Sequence, residues 1–523
     1  MAVHQYGVLE LALQSARDYP NPARDCQAVA EFTGPSGRTV PIRAFWDGGR
    51  LWRVRFSPDE VGAWTWRTRC SAPDDAGLLK EGERFECVAY TGENPLYRHG
   101  PLQRSGDRRS LHHRDGTPFF WLGDTAWNGV IRGGDDNWRR FLETRSRQRF
   151  SVVQFVCCHW RGDAVDETGE SACSEEHPIR INSAFFQRLD RRVAMVNASG
   201  LVAAPVALWS LLKTDLGRKL AEEDALELAS YIVSRYDAYQ VVWLLGGDGN
   251  YQEIGVDRWK RLGRAVFKLG HDRLVALHPC GQNWVGEAFR GEDWYDLIGY
   301  QSGHGDSEEH LKWLVQGPPA RDWDHAPPLP VINLEPNYES AIGYQHKSVF
   351  GDYEVRRAAY WSLLVSPTAG LTYGHDAIWN WNFETGPSEG HGDWHGRRVP
   401  PWHTGLETPG IRSMTVLRGI FERLAWTTLR PAQAVLAEQA GERDVRAFVA
   451  AARAANGTLV VYAPCGGTVR FASQARVDGP VRLVDPRTGE SRVLSDAAGE
   501  AVQTPDTRDW LIICGAGWTE SEE

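Results

Sequence analysis

The chain has 523 residues, 42% of them hydrophobic and 24% charged, which is the make-up of a folded globular protein and too long for a single ordinary domain. Acids and bases are interspersed around a net charge of −10, so no basic stripe offers itself to nucleic acid. No apolar run reaches the length of a membrane span.

Residues 1–20 lack the basic-then-apolar pattern of a secretory leader, so the sequence reads as cytoplasmic. The nine cysteines are odd in number and include the adjacent Cys157 and Cys158, which argues for free thiols over a disulfide framework. The 23 tryptophans stand out, many beside glycine and polar residues. Indole faces suit stacking against the C–H faces of sugar rings.

Residues 1–92 read as a β-sandwich. Short strands at 26–32, 39–46, 51–56 and 62–68 are separated by turns such as Thr33-Gly34-Pro35-Ser36-Gly37 and Asp47-Gly48-Gly49. From about residue 110 strands alternate with helices. Strands are expected at 119–124, 152–156, 201–208, 241–248, 274–277, 297–300, 330–335 and 370–373. Helices are expected at 137–149, 182–195, 222–236, 258–269 and 353–365. Eight such repeats within residues 93–428 fit a (β/α)8 TIM barrel of the α/β class. A doubly wound open sheet would need a glycine-rich phosphate turn after its first strand, and there is none. Residues 429–523 return to strand patterning, at 446–452, 459–462, 481–485 and 510–514, and read as a second sandwich.

Barrel enzymes place their chemistry at the C-terminal ends of the strands. Those ends carry Asp124, Trp160, Trp209, Asp248, His278, Gln301, Glu335 and His375. The set holds no nucleophile elbow, no paired CxxC and no HExxH, so no metal site and no cofactor is expected from it. Asp248 follows Val241-Val242-Trp243-Leu244-Leu245-Gly246-Gly247, and Glu335 follows Val331-Ile332-Asn333-Leu334. Strands four and seven lie opposite one another, so their ends can converge across the barrel mouth. Two carboxylates facing a tryptophan-lined cleft suit glycoside cleavage, retaining at a separation of about 5–5.5 Å and inverting at about 6.5–9.5 Å.

Four stretches resemble the apiosidase-like glycoside hydrolases, a family often labelled collagenase or collagen-binding. They are Phe120-Trp121-Leu122-Gly123-Asp124-Thr125-Ala126-Trp127, Trp243 through Asn250, Asn333-Leu334-Glu335-Pro336-Asn337-Tyr338, and Tyr373-Gly374-His375-Asp376-Ala377-Ile378-Trp379-Asn380-Trp381. Residues 45–49 and 52–56 resemble the sandwich that often precedes such barrels. The resemblance implies a retaining, exo-acting glycoside hydrolase with Asp248 as acid/base and Glu335 as nucleophile. It also implies a terminal apiosyl or related sugar as the substrate. The Asn-Glu usual at strand four in the wider clan is replaced here by Gly247-Asp248. Collagen cleavage has no chemical support, since no zinc-protease motif is present.

Sugar-binding candidates are Asp124, Trp127, Trp160, Trp209, Asn250, His278, Gln301, Tyr338, His375 and Trp379. Each has a duller alternative. Asp248 could cap a helix, Asp124 could cap the turn into Trp127, and His278 could be a satisfied core histidine. Trp379 and Trp381 alternate, so only one of them is expected to face the site, and Trp379 is favoured. His391-Gly392-Asp393-Trp394-His395 has ligand-like spacing but reads as a loop rim. Glu287, Glu292 and Asp293 read as solvated. The partner is a carbohydrate, with neither nucleic acid nor membrane, and the alternative to an enzyme is a non-catalytic carbohydrate-binding barrel.

Overall fold

The computed structural model describes residues 1–158, 160, 165–252, 255–270, 272–388, 398–475, 479–495 and 499–519. Its centre is eight parallel strands. They are β1 (Trp121–Thr125), β2 (Val152–Val156), β3 (Val202–Trp209), β4 (Val242–Gly249), β5 (Leu274–Pro279), β6 (Ile298–Tyr300), β7 (Val331–Asn333) and β8 (Gly370–Tyr373). Hydrogen bonds order them β5-β4-β3-β2-β1-β8-β7-β6. At the seam between β5 and β6, Asp296 bridges the gap. Its amide donates to the Val275 carbonyl at 2.8 Å and its carboxylate accepts from the Val275 amide at 3.0 Å. The barrel is nearly closed, and every strand residue in it is buried, as continuous apolar runs require.

Helices cover the outside: α1 (Gly134–Arg147), α2 (Ser183–Ala198), α3 (Glu222–Tyr236), α4 (Val256–Val266), α5 (Glu308–Gln316), α6 (Asp352–Leu364) and α7 (Pro409–Phe421). Their ends follow local chemistry. Asn182 caps α2 by accepting from the Phe185 amide, and Ser307 does the same for α5 from His310. Three acids open α3 and Arg235 closes it, in the sense the helix dipole favours. The sequence reading named five of these helices and passed over α5 and α7. Trp379 and Trp381, expected to alternate past His375, instead lie on and just after a short helix, Asp376–Asn380, capped by His375. Among the described residues no helix is long and apolar enough to cross a membrane.

Before the barrel, a five-stranded sheet faces a three-stranded one. Phe32 stacks on Phe56 at 4.2 Å between ring centroids, and Trp64, Phe85 and Leu11 fill the space around them. After the barrel, a six-stranded sheet and a two-stranded one enclose Val461, Leu483, Val502 and Ile512. Buried ion pairs lock both flanks to the barrel. Arg55 of the first sandwich and Arg235 of α3 both grip Asp190 of α2, and Arg235 also reaches Asp47 at 2.7 Å. Arg356 of α6 forks onto Asp509 at 2.7 and 3.0 Å, with the Tyr462 hydroxyl donating to the same carboxylate.

Candidate active site

The fourth strand ends in Gly246-Gly247-Asp248-Gly249, and its register against β5 slips twice, between Leu244 and Gly247 and between Gly247 and Gly249. Such irregularities re-aim side chains at barrel rims. Asp248 itself sits at φ 52°, a left-handed conformation that a non-glycine residue adopts at a cost. Gly247 pairs with Trp209 on β3, and a Cβ there would lie 2.4 Å from the Trp209 ring. Glycine at 247 is therefore what lets the indole lie against the strand that delivers Asp248.

Glu335 stands two residues past β7 and is held by side chains. His304 Nε2 lies 2.9 Å from its Oε1, and since a carboxylate only accepts, that nitrogen carries the proton. His278, with no exposure at all, places Nε2 3.5 Å from Oε2. Burial pushes the Glu335 carboxyl upward. The hydrogen bond and charge of His304, with His278 and the Tyr338 hydroxyl, outweigh it and hold Glu335 below the usual glutamic acid value. Burial lowers the His278 value, against the pull of Glu335.

Tyr338 connects the two strand ends. Its hydroxyl donates to Thr125 Oγ1 at 3.0 Å and faces Glu335. Burial, then the negative charge of Glu335, pushes the phenol well above its ordinary value, and the charge of Asp248 adds to the effect. One phenol thus feels both carboxylates. Beneath it runs a polar chain through the barrel. Gln154 Nε2 donates to Thr125 Oγ1 at 3.3 Å and to the Leu334 carbonyl at 3.1 Å. Its Oε1 accepts from Thr372, which in turn accepts from the Trp121 indole.

Aromatic rings wall the site. Trp127 meets Trp209 at 5.1 Å and His278 at 5.0 Å, both edge to face. Trp160 meets Trp209 at 6.3 Å and Trp379 at 5.7 Å. Trp127, Trp160 and Trp209 are each at most 3% exposed, so they form a packed wall rather than open stacking faces. Trp379 is half-buried against the cluster of Tyr338, Ala341 and Phe350. Trp381 instead lies fully buried, stacked on Trp402 at 4.6 Å and close to Trp138 and Phe141.

The other candidates are more locally engaged. Asn250 accepts from Asn283 at 2.5 Å. Gln301 is 4% exposed, and its carbonyl accepts from the Gln282 amide. His375 uses Nδ1 to accept from the Ala377 amide at 3.0 Å. Asp124 is not available to a sugar. It is fully buried, with Oδ2 on Arg145 Nε at 2.5 Å and Oδ1 on the Thr125 amide, and Arg145 is itself fully buried. Glu292 is corrected too. It is buried rather than solvated, forked onto Arg264 at 2.7 and 2.8 Å.

His304, Thr125 and Gln154 escaped the sequence reading. Gln154 was visible as the one amide in Val152-Val153-Gln154-Phe155-Val156, a polar residue a buried strand keeps only for a partner. His304 sits in Gln301-Ser302-Gly303-His304-Gly305, whose position depends on two long-range bonds. The Gly303 amide donates to the Glu335 carbonyl, and Asn337 donates to the Gly303 carbonyl. Residues 391–395 lie outside the described residues. Among the described residues no group of three or more His, Cys, Asp or Glu side chains is arranged to hold a metal ion.

A family profile described as "Apiosidase-like, catalytic domain" matches residues 105–428, and one described as a domain of unknown function, DUF5060, matches residues 2–71. No curated protein matches the chain. Among solved structures, one described as "Glycoside hydrolase" aligns at TM-score 0.71 with 24% identity, over 81% of this chain and 98% of its own. A glycoside hydrolase family 5 structure from Bacteroides vulgatus ATCC 8482 aligns at 0.70 with 21% identity, over 81% and 95%. Another protein from the same organism aligns at 0.73 with 17% identity, over 98% of this chain and 99% of its own. At these identities the structural likeness speaks for the fold.

Proposed function

The chain belongs to the apiosidase-like family, and on that premise we propose that it is a retaining, exo-acting glycoside hydrolase. Its proposed substrate is a terminal apiosyl residue, or another furanoside or pyranoside, in plant-derived glycosides or oligosaccharides. The observation that carries the reading is the placement of two buried carboxylates, Asp248 at the end of β4 and Glu335 just past β7, with His304 Nε2 2.9 Å from Glu335 Oε1. Glu335, hydrogen-bonded and held below the usual glutamic acid value, is equipped to be anionic at neutral pH. An anion there suits a nucleophile.

In the proposed reaction Glu335 attacks the anomeric carbon while Asp248 protonates the departing oxygen. Asp248 then takes a proton from water, which displaces Glu335 and releases the sugar. The Tyr338 hydroxyl faces Glu335 and can follow its charge from free carboxylate to ester and back. The ring wall of Trp127, Trp160 and Trp209 keeps the space around the carboxylates poor in water, which strengthens each of these interactions.

Wild type and Glu335→Gln, given a panel of aryl pentofuranosides and pyranosides, test the proposal. The wild type should release sugar whose first-formed anomer, read by NMR, keeps the substrate's configuration. Glu335→Gln should bind and not turn over. Equal binding by both proteins with no hydrolysis of any panel member would instead mean a carbohydrate-binding barrel.

A further inference from the structure

Asp306 is a buried carboxylate that the proposed reaction does not use. It stands in the loop between β6 and α5, two residues past His304, and is 7% exposed. Its carboxylate binds one stretch beyond β7. Oδ1 accepts from the Gln345 and His346 amides, both at 2.9 Å, and Oδ2 accepts from the Ser348 hydroxyl at 2.8 Å. Gln345 binds back, its Oε1 accepting from the Asp306 amide at 2.9 Å and the Ser307 amide at 3.3 Å. Gly343 lets the stretch come this close, since a Cβ there would lie 2.2 Å from Asp306 Oδ2. Two basic groups face the same point. Arg446 of the second sandwich donates to the Asp306 carbonyl at 3.1 Å, and His346 Nδ1 lies 3.1 Å from that oxygen and 3.6 Å from Oδ1.

This grip reaches His304 through the residue next to Gln345. The Tyr344 amide donates to the His304 carbonyl at 3.0 Å, and the Tyr344 ring meets the His304 ring edge to face at 5.7 Å. Tyr338 covers the imidazole from another side at 4.4 Å. A histidine that serves a reacting group is commonly oriented by a hydrogen bond to its other ring nitrogen. His304 has none: among the described residues Nδ1 is buried without a partner. Its aim at Glu335 therefore depends on its main chain and on the rings packed against it, and Asp306 fastens the segment that supplies both the Tyr344 amide and the Tyr344 ring.

We propose that Asp306 is a positioning residue: by clasping residues 344–348 to the loop after β6, it keeps His304 Nε2 on the Glu335 carboxylate. Its bearing on catalysis rests on the reading of Glu335 as nucleophile, whereas its bearing on the His304–Glu335 contact does not.

The test breaks the clasp of the full chain in two ways. Asp306→Ala removes the acceptors. Gly343→Ala keeps the carboxylate and forces the stretch away from it, which covers the case where Asp306→Ala does not fold. Glu335 is titrated by carbon-13 NMR of protein labelled at its glutamate carboxyls, its signal identified by its loss in Glu335→Gln. The His304 bond holds Glu335 down, so both variants should move its midpoint upward, toward that of His304→Ala. Neither should move it further when His304→Ala is already present, because His278 and Tyr338 are left in place. Asp306→Asn should stay near wild type, since its oxygen still accepts from the two amides and its NH2 can donate to the Ser348 hydroxyl. Unmoved midpoints in both clasp variants, or an Asp306→Asn midpoint displaced as far as that of Asp306→Ala, overturn the proposal. In kinetics the acidic limb of kcat/KM should move upward with the midpoint. Midpoints that move in a protein without glycosidase activity would support the clasp and count against the nucleophile alone.

Discussion

The ends of β4 and β7 deliver the two carboxylates of the proposed pair by opposite means. Glu335 is fixed by side chains, with His304 and His278 on its two oxygens and Tyr338 beside it. Asp248 stands on a main chain shaped by a slipped register, a left-handed φ and flanking glycines. The contrast fits the roles proposed for them. A nucleophile needs a set charge, which neighbouring donors provide. A proton shuttle needs a set direction, and its charge must change twice in each cycle. The first end should therefore be sensitive to lost donors and the second to added bulk.

Removing the proposed nucleophile is the largest break. Glu335→Gln should lose more turnover than the roughly 10²–10⁴-fold that general acid–base catalysis contributes, measured as kcat on the best panel substrate. Asp248→Asn should fall within about that 10²–10⁴ range. The loss should shrink sharply on aryl glycosides with good leaving groups, which need no proton, and an equal loss on all leaving groups would remove Asp248 from the acid/base role.

Gly247→Ala probes the main-chain side of the contrast. Its Cβ would meet the Trp209 ring at 2.4 Å. Overpacking of that kind costs about 1–3 kcal/mol, so Tm should drop while kcat falls because Asp248 is re-aimed. His304→Ala probes the side-chain side. Glu335 lies below its ordinary value partly through His304, so losing that donor raises it. Activity that requires ionised Glu335 is lost as pH falls through that value, so the acidic limb of kcat/KM should move to higher pH. An unmoved limb would sever His304 from Glu335.

Asp124→Asn should have the smallest catalytic effect. It strands Arg145 in the core and should cost about 3–5 kcal/mol of stability, read by denaturant unfolding, while kcat of the folded protein stays near wild type.

All eight barrel strands were legible because they are short, mainly apolar runs set between helical stretches, a pattern carried by local sequence. Asp248 and Glu335 stood out for the same reason, as acids ending apolar runs. What was not legible depends on distant partners. Asp124 looked like a ligand because Arg145, the group that takes it, lies 21 residues away on α1. His304 was not legible because it is placed by its bond to Glu335, 31 residues on, and by the bond of Asn337 to the neighbouring Gly303, 34 residues apart. Glu292 looked solvated because Arg264 comes from the helix before.

The most direct test of the pair is to trap the intermediate. Wild-type protein is incubated with an activated 2-deoxy-2-fluoro derivative of the best panel sugar, digested, and its peptides are weighed by mass spectrometry. The account predicts one glycosyl adduct, on Glu335, and none on Glu335→Gln. An adduct on Asp248 or elsewhere, or turnover with inverted configuration and no adduct, would contradict it.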